Sequence, residues 1–216
     1  AAASVASSAP TSASASFSAS DTLCGDPMMG GAPALLLGVE TLVMAAAPIA
    51  EFGTEAQQQA LLPEVISGHS VLTAALVEDG FRDPANARTE AVADGDGFRI
   101  TGTKTCVPAA AVAARILVPA KTGEGQVGVF LVDPRADGVT LEAQQVTTGE
   151  PHSLVQMENV AVGANDVLGD PHDGAGIIGW IANHTMVAAC AVAVGLAESG
   201  LEQTAAYQSE RKQFGV

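Results

Sequence analysis

Two hydrophobic periodicities divide the chain. From Ser70 to about Val162 the apolar residues come in short runs parted by Gly, Asp and Pro, while before and after that stretch they recur at three- and four-residue steps. The runs Val71 to Val77, Phe98 to Lys104, Arg115 to Ala120, Val127 to Val132, Val139 to Gln145 and Leu154 to Val162 are predicted strands. Asp94 to Gly97 and Lys121 to Gln126 are turn-like connectors between them. Strands that follow one another with no helix between predict antiparallel sheets packed as a sandwich or barrel. Further on, Ile177, Ile181, Ala188, Val192 and Leu196 keep helical spacing and no proline intervenes. That pattern predicts one helix from about Gly176 to Phe214, roughly 55 Å long at about 1.5 Å per residue. A helix of this length extends past any single small domain beside it and belongs in a helical bundle.

The N-terminal part reads differently. A helical pattern runs from Leu35 to Ala50, and Gly53-Thr54-Glu55 followed by Gln57 to Leu62 predicts a capped short helix ending at Pro63. Pro33, Glu40 and Pro48 interrupt the apolar stretch from Ala32 to Ala50, which favours a buried helix over a membrane span. Residues 1–30 are rich in Ala, Ser and Gly with few large apolar side chains, too few to offset the entropy of ordering. The predicted fold is therefore a multidomain α+β arrangement. It comprises a low-complexity, disordered stretch over 1–30, a helical remnant over 31–69, a β domain over 70–165 and the first helix of a C-terminal helical domain over 174–216.

Charge and composition narrow the function classes. The 216 residues carry a formal net charge of −15, and their nine basic residues are scattered, so no patch suited to nucleic acid emerges. An anionic ligand would have to be met by a few local Arg or Lys residues and backbone N–H groups. Cys24, Cys106 and Cys190 have no CxxC spacing, which argues against a zinc motif or a disulfide framework and for a reducing cytoplasm. The N-terminus lacks the basic segment of a secretory signal. His69, His152, His172 and His184 are widely dispersed in sequence, and His172 within Asp170-Pro171-His172-Asp173 reads as part of a turn, so no metal site is expected.

Five segments carry a family resemblance in a fixed order: TEAQQQALLPEVISGHSVLTAALVE, FRITGTKTCV, VGVFLVDPRADGVTLE, VAVGANDVLGDPHDGAG and AVGLAESGLEQTAAYQSERKQFG. Together, over roughly 55–216, they resemble the acyl-CoA dehydrogenases. The resemblance implies a helical N-terminal domain, a middle β domain and a C-terminal helical bundle. It also implies FAD as cofactor, an acyl-CoA substrate and a homo- or hetero-oligomer, a dimer or tetramer, with no nucleic acid or membrane partner. In that family the flavin lies across the β domain, which assigns it backbone groups of Leu76 and Val77 on one strand and the positions of Cys106 and Pro108 on another. Arg211, Gln213 and Phe214 correspond to residues that reach the FAD of a neighbouring subunit. Without the resemblance, Glu210, Arg211 and Lys212 read as a solvated charge cluster at a helix end.

Several positions depart from the family pattern. Val77 replaces a Thr, Cys106 replaces a Trp that packs on the flavin, and Pro108 replaces a Thr. Loss of the aromatic removes on the order of 1 kcal/mol, and proline has no N–H to donate. Cys106, on a strand, reads as a small buried hydrophobe. The family's general base is a Glu in the last third of the C-terminal domain, or in a minority a Glu near the start of the long helix, where this chain has Thr185-Met186. No residue is nominated as base, and Glu198, Glu202 and Glu210 read as solvated faces. The implied activity is oxidation of an acyl-CoA thioester at its α and β carbons, with this stretch of chain itself inactive and holding little or no FAD. The alternatives are a non-catalytic partner subunit of a mixed tetramer and a flavin monooxygenase of the same fold.

Overall fold

The computed structural model describes residues 38–80, 83–147 and 149–213. The expectation of disorder over 1–30 lies outside them. Two helices precede the sheet. A π-helical segment, Val39–Ala46, runs directly into α1 (Ala47–Phe52), and α2 (Glu55–Ile66) follows after Thr54. Thr54 caps α2 as predicted, its hydroxyl accepting from the Gln57 N–H while the Gln57 side chain accepts from the Thr54 N–H at 2.9 Å. The helix does not end at Pro63 but continues to Ile66. Pro63 forfeits only its own N–H bond to the preceding turn, and its carbonyl still accepts from Ser67. The chain turns at Gly68, which has φ 75°, where His69 and Ser70 both donate to the Glu64 carbonyl.

The β domain contains β1 (Val71–Ala74), β2 (Glu90–Asp94), β3 (Gly97–Pro108), β4 (Ala113–Gly123), β5 (Gln126–Val132), β6 (Val139–Gln144), β7 (His152–Val162) and β8 (Val167–Leu168). Their order is β6-β7-β3-β2-β4-β5-β8, with β1 added on β4. The predicted strands are all present. The sheet is mixed, however, because β1 runs parallel to β4 and β2 meets β4 in parallel at Glu90 and Lys121. A purely antiparallel order assumes that successive strands form hairpins, whereas β1 comes off α2 and lies beside a strand met only later in the chain. The sequence pattern also missed β2 and β8. Of β2 only Ala91 is buried, and β8 is two residues long, so neither shows a readable alternation.

Period-two alternation explains why β4 and β5 read as continuous apolar runs. Ile116, Val118 and Ala120, with Phe130 and Val132, enter a core inside the sheet alongside Ile100, Val155 and Met157. Leu117, with Val127, Val129 and Leu131, faces a second core shared with Ala45, Ile49, Ile177, Ile178 and Ile181 from the helices. Gly128 makes the second layer possible, since a Cβ there would lie 2.4 Å from the Pro171 carbonyl oxygen. The loop before the last helix therefore crosses β5 at backbone contact, and Gly174 donates to the Val127 carbonyl at 2.7 Å.

The last helix, α3 (Ala175–Glu210), is continuous, as its proline-free pattern predicts, but it ends before Arg211, whose extended backbone leaves Arg211 to Gln213 outside the helix expected to reach Phe214. It is anchored only at its start, where Ile177, Ile178 and Ile181 are buried and the Trp180 ring meets Phe52 edge-on at 5.8 Å. From His184 onward no residue of the helix is buried, and Met186, Val187, Val194, Leu196, Leu201 and Tyr207 stand exposed. By length and composition α3 is also apolar enough to cross a membrane.

Candidate flavin-facing strand ends

The end of β1 and the second half of β3 are brought together. After Ala75 donates to Leu117, the chain passes through half-buried Leu76 to exposed Val77, whose carbonyl accepts from the Thr105 N–H at 2.9 Å. Val77 and Cys106 thus occupy adjacent chains at one edge of the β domain. The pairing of β3 with β7 shifts register between Lys104 and Val107. Cys106 sits in that irregularity with φ 52°, a left-handed conformation that costs a residue with a Cβ about a kcal/mol or more. It is exposed and not the buried hydrophobe expected, because the irregularity breaks alternation and gives the buried position to Val107.

Gln144 on β6 holds this irregularity in place. Its Oε1 accepts from the Cys106 N–H at 2.7 Å, and its Nε2 donates to the Thr105 hydroxyl at 3.0 Å. Pro108 is buried and offers no N–H. The two strand ends therefore fit a flavin unequally. The backbone at Leu76 and Val77 lies at an accessible edge, whereas the second strand presents no aromatic, no N–H at Pro108 and an N–H at Cys106 already bonded to Gln144.

Next to Val77 in the chain, Glu78 forms a buried ion pair with Lys104 at 2.6 Å, the two side chains being 6% and 0% exposed. The Glu78 carboxylate also accepts from the Arg88 N–H at 2.7 Å, the Thr89 N–H at 3.1 Å and the Thr89 hydroxyl at 2.7 Å. Burial alone drives Glu78 upward, but the Lys104 hydrogen bond and charge and the Thr89 and Arg88 donors outweigh it and hold the carboxyl below its ordinary value. Burial pulls Lys104 down against the opposing pull of Glu78. Through Glu78 the pair ties the segment after β1, and Arg88 and Thr89 before β2, to Lys104 on β3. Residue-by-residue reading missed this pair because the partners are 26 positions apart. Its signal lay in the Glu that follows the first strand and the Lys inside the Gly-x-Lys strand.

The structure does not bring the helix-end residues to this edge. Arg211 and Gln213 are exposed beyond the last turn of α3, and the Arg211 guanidinium lies 5.5 Å from the Tyr207 ring centre. Phe214 lies outside the described residues. Glu198, Glu202 and Glu210 are exposed on α3, as a solvated face requires.

A second constellation was not anticipated. Glu40 on the π-helical segment meets Glu150 and His152 where the chain enters β7, all three half-buried, with one potential ligand atom from each lying within 4.8 Å of the others. Burial, with the Glu150 charge adding to it, raises the Glu40 pKa to about 7. The His152 Nδ1 is buried with no hydrogen-bond partner among the described residues. His152 is the cross-strand neighbour of both Pro108 and Gln144, so the constellation adjoins the strand ends just described. Sequence spacing gives no sign of it, because Glu40 is separated from Glu150 and His152 by the helices and most of the β domain.

Comparison with known proteins accounts for the order of these parts. Residues 9–69 match the model of the acyl-CoA dehydrogenase N-terminal domain and residues 78–160 that of the middle domain. The first match reaches well upstream of position 55, where the resemblance in sequence begins. Among curated relatives, a probable acyl-CoA dehydrogenase of Bacillus subtilis (strain 168), YngJ, is 30% identical over 89% of this chain and 51% of its own length. A variant of the Tcur3481-Tcur3483 steroid ACAD is 39% identical with a TM-score of 0.71, covering 82% of this chain and 46% of that one. The ChsE4-ChsE5 complex from Mycobacterium tuberculosis is 32% identical with a TM-score of 0.73, over 82% and 46% respectively. The chain spans about half the length of the relatives it matches. In fold, in domain order and in these matches, the chain belongs to the acyl-CoA dehydrogenase family, of which FAD is the cofactor.

Proposed function

We propose that this chain forms the substrate- and flavin-facing half of an acyl-CoA dehydrogenase that oxidises an acyl thioester between its α and β carbons. The carrying observation is the pair of strand ends at Val77 and Cys106, joined by the Thr105 to Val77 hydrogen bond and by the ion pair of Glu78 and Lys104. FAD, when bound, accepts the hydride from the β carbon. This chain's part is to support the ring edge with the backbone at Leu76 and Val77 and to exclude water with the apolar sheet. Arg211, Gln213 and Phe214, which follow α3 in sequence, serve the cofactor of a neighbouring subunit. The general base belongs to a helical portion that packs on the uncovered length of α3. The decisive experiment adds acyl-CoA anaerobically to the protein assembled with that helical portion and follows the flavin's visible absorbance. Bleaching supports the reading, and a bound flavin that no acyl-CoA reduces contradicts it.

A second reading is favoured by the second strand. With Pro108 lacking an N–H and the Cys106 N–H held by Gln144, this chain is the weaker flavin holder of two unlike subunits, in an assembly of the kind named for ChsE4-ChsE5. Purification with and without a sister chain separates the readings. Flavin retained only in the mixed assembly supports the second.

A further inference from the structure

We propose that Glu40, Glu150 and His152 bind one divalent first-row transition cation of the zinc type, through two carboxylate oxygens and one imidazole nitrogen, leaving a coordination position for a further ligand. The inference goes beyond the family's activity and does not depend on flavin binding.

Three features support it. The first is geometry. The donor atoms lie within 4.8 Å of one another, whereas bonds of about 2.0–2.2 Å around a tetrahedral cation place donors about 3.4 Å apart. Side-chain rotation on the order of 1 Å closes that gap without moving backbone. The backbone is held from both sides. Ala109 donates to the Pro151 carbonyl at 2.8 Å, and His152 is paired in register with Pro108 and Gln144. Glu40 is carried on the helical segment whose Ala45 and Ala46 are part of the second core.

The second feature is unmet demand. The His152 Nδ1 is buried without a partner among the described residues, and the two carboxylates face each other in a half-buried setting. A proton shared between the carboxylates neutralises one charge and does nothing for the imidazole. A dication gives the imidazole a partner and offsets the carboxylate charge that burial disfavours at Glu40. Burial first and the Glu150 charge second raise the Glu40 pKa, so the site disfavours its charged form in the absence of a cation.

The third is donor chemistry. One imidazole with two carboxylates suits zinc, cobalt or manganese better than calcium or magnesium, which prefer all-oxygen shells. Among the described residues no sulfur joins the cluster. A bound cation would tie the helical layer to the start of β7, beside the strand ends assigned to the flavin.

The test uses the full chain, stripped with a chelator and titrated with zinc chloride by calorimetry, in buffer above the pH at which Glu40 releases its proton. Cobalt chloride serves as a spectroscopic probe. One equivalent of zinc should bind, and cobalt should give visible d–d bands without the near-ultraviolet charge transfer of a thiolate ligand. Glu40→Gln and His152→Ala should each weaken zinc binding by about tenfold or more, while His172→Ala, at an exposed turn, leaves it unchanged. Circular dichroism checks that each variant is folded. Absence of saturable zinc binding in the unmodified chain, a thiolate band with cobalt, or undiminished binding by folded Glu40→Gln or His152→Ala overturns the proposal. The first two outcomes are read on the unmodified chain, so a variant that fails to fold leaves the test intact.

Discussion

The sheet and the far two-thirds of α3 are built from similar residues under opposite conditions. In β4 and β5 nearly every apolar side chain is covered, one face by the inner core and the other by helices. In α3 no residue after Ile181 is buried, and Leu196 and Leu201 are 56% and 72% exposed. The sheet is therefore covered within this chain, whereas α3 presents most of its length uncovered. An amphipathic surface helix would carry its apolar residues on one stripe. Here alanine, valine and glycine are distributed around the helix, the signature of an element to be packed on most sides. The comparison predicts that substitutions in the sheet act on folding of this chain, while equivalent substitutions in α3 act on assembly.

The largest expected effect is at the buried pair. Lys104→Met leaves the Glu78 carboxylate charged and 6% exposed, and removing one partner of such a pair costs about 3–5 kcal/mol. Denaturant unfolding should show that loss. Adding Glu78→Gln to Lys104→Met should recover part of it, because the unpaired charge is gone and the amide oxygen still accepts from the Thr89 N–H and hydroxyl, while the amide nitrogen faces the Arg88 N–H. Equal instability in the single and double variants would mean that packing, not charge, holds the loop.

Next comes the contrast along α3 itself. Ile181 is fully buried in the second core, and Ile181→Ala should cost about 2–5 kcal/mol by the same measurement. Leu196→Ala should change this chain's stability by less than about 0.5 kcal/mol, yet shift its association in size-exclusion chromatography with the helical portion or a sister subunit. A Leu196→Ala chain as destabilised as the Ile181 variant would show that the distal helix is already covered.

A smaller effect is expected at Gln57, which caps α2 and also donates from Nε2 to the Asn165 and Val167 carbonyls, both at 2.8 Å. One side chain here joins the helical layer to the entry of β8. Gln57→Ala orphans those carbonyls and the Thr54 N–H, so about 1–3 kcal/mol should be lost. Gln57→Glu keeps the cap but presents acceptor to acceptor, and should recover less than half.

How much of this could be read in advance depends on how local the cause was. The capping residue Thr54, the alternation in β4 and β5 and the uninterrupted α3 are written in neighbouring residues, and all three were legible. The end of α2 was misplaced because a proline in the last turn costs one bond, which the Gly68 turn outweighs. Cys106 was misjudged because an irregularity in pairing with β7 inverts the alternation, and the cause lies in another strand and in Gln144. The Glu40, Glu150 and His152 constellation had no sequence signal, since only the packing of the helical segment on the entry to β7 brings it together. Contacts of this kind are set by tertiary structure alone.

The smallest effect concerns pH and again divides the molecule in two. Glu78 has its pKa lowered in the folded state, so its contribution is present above the ordinary carboxylate value and is lost as the pH falls through the folded one. Glu40 behaves in the opposite sense. Its folded pKa is raised from 4.5 to about 7, so the folded state binds its proton more tightly than the unfolded chain, and stability from this group declines as the pH rises between those values. With chelator present to exclude metals, melting temperature followed across that window should fall less steeply in Glu40→Gln than in the unmodified chain, while the acid limb set by Glu78 stays the same. An unchanged slope would show that Glu40 is ionised at its ordinary pH, and that neither burial nor the Glu150 charge holds a proton on it.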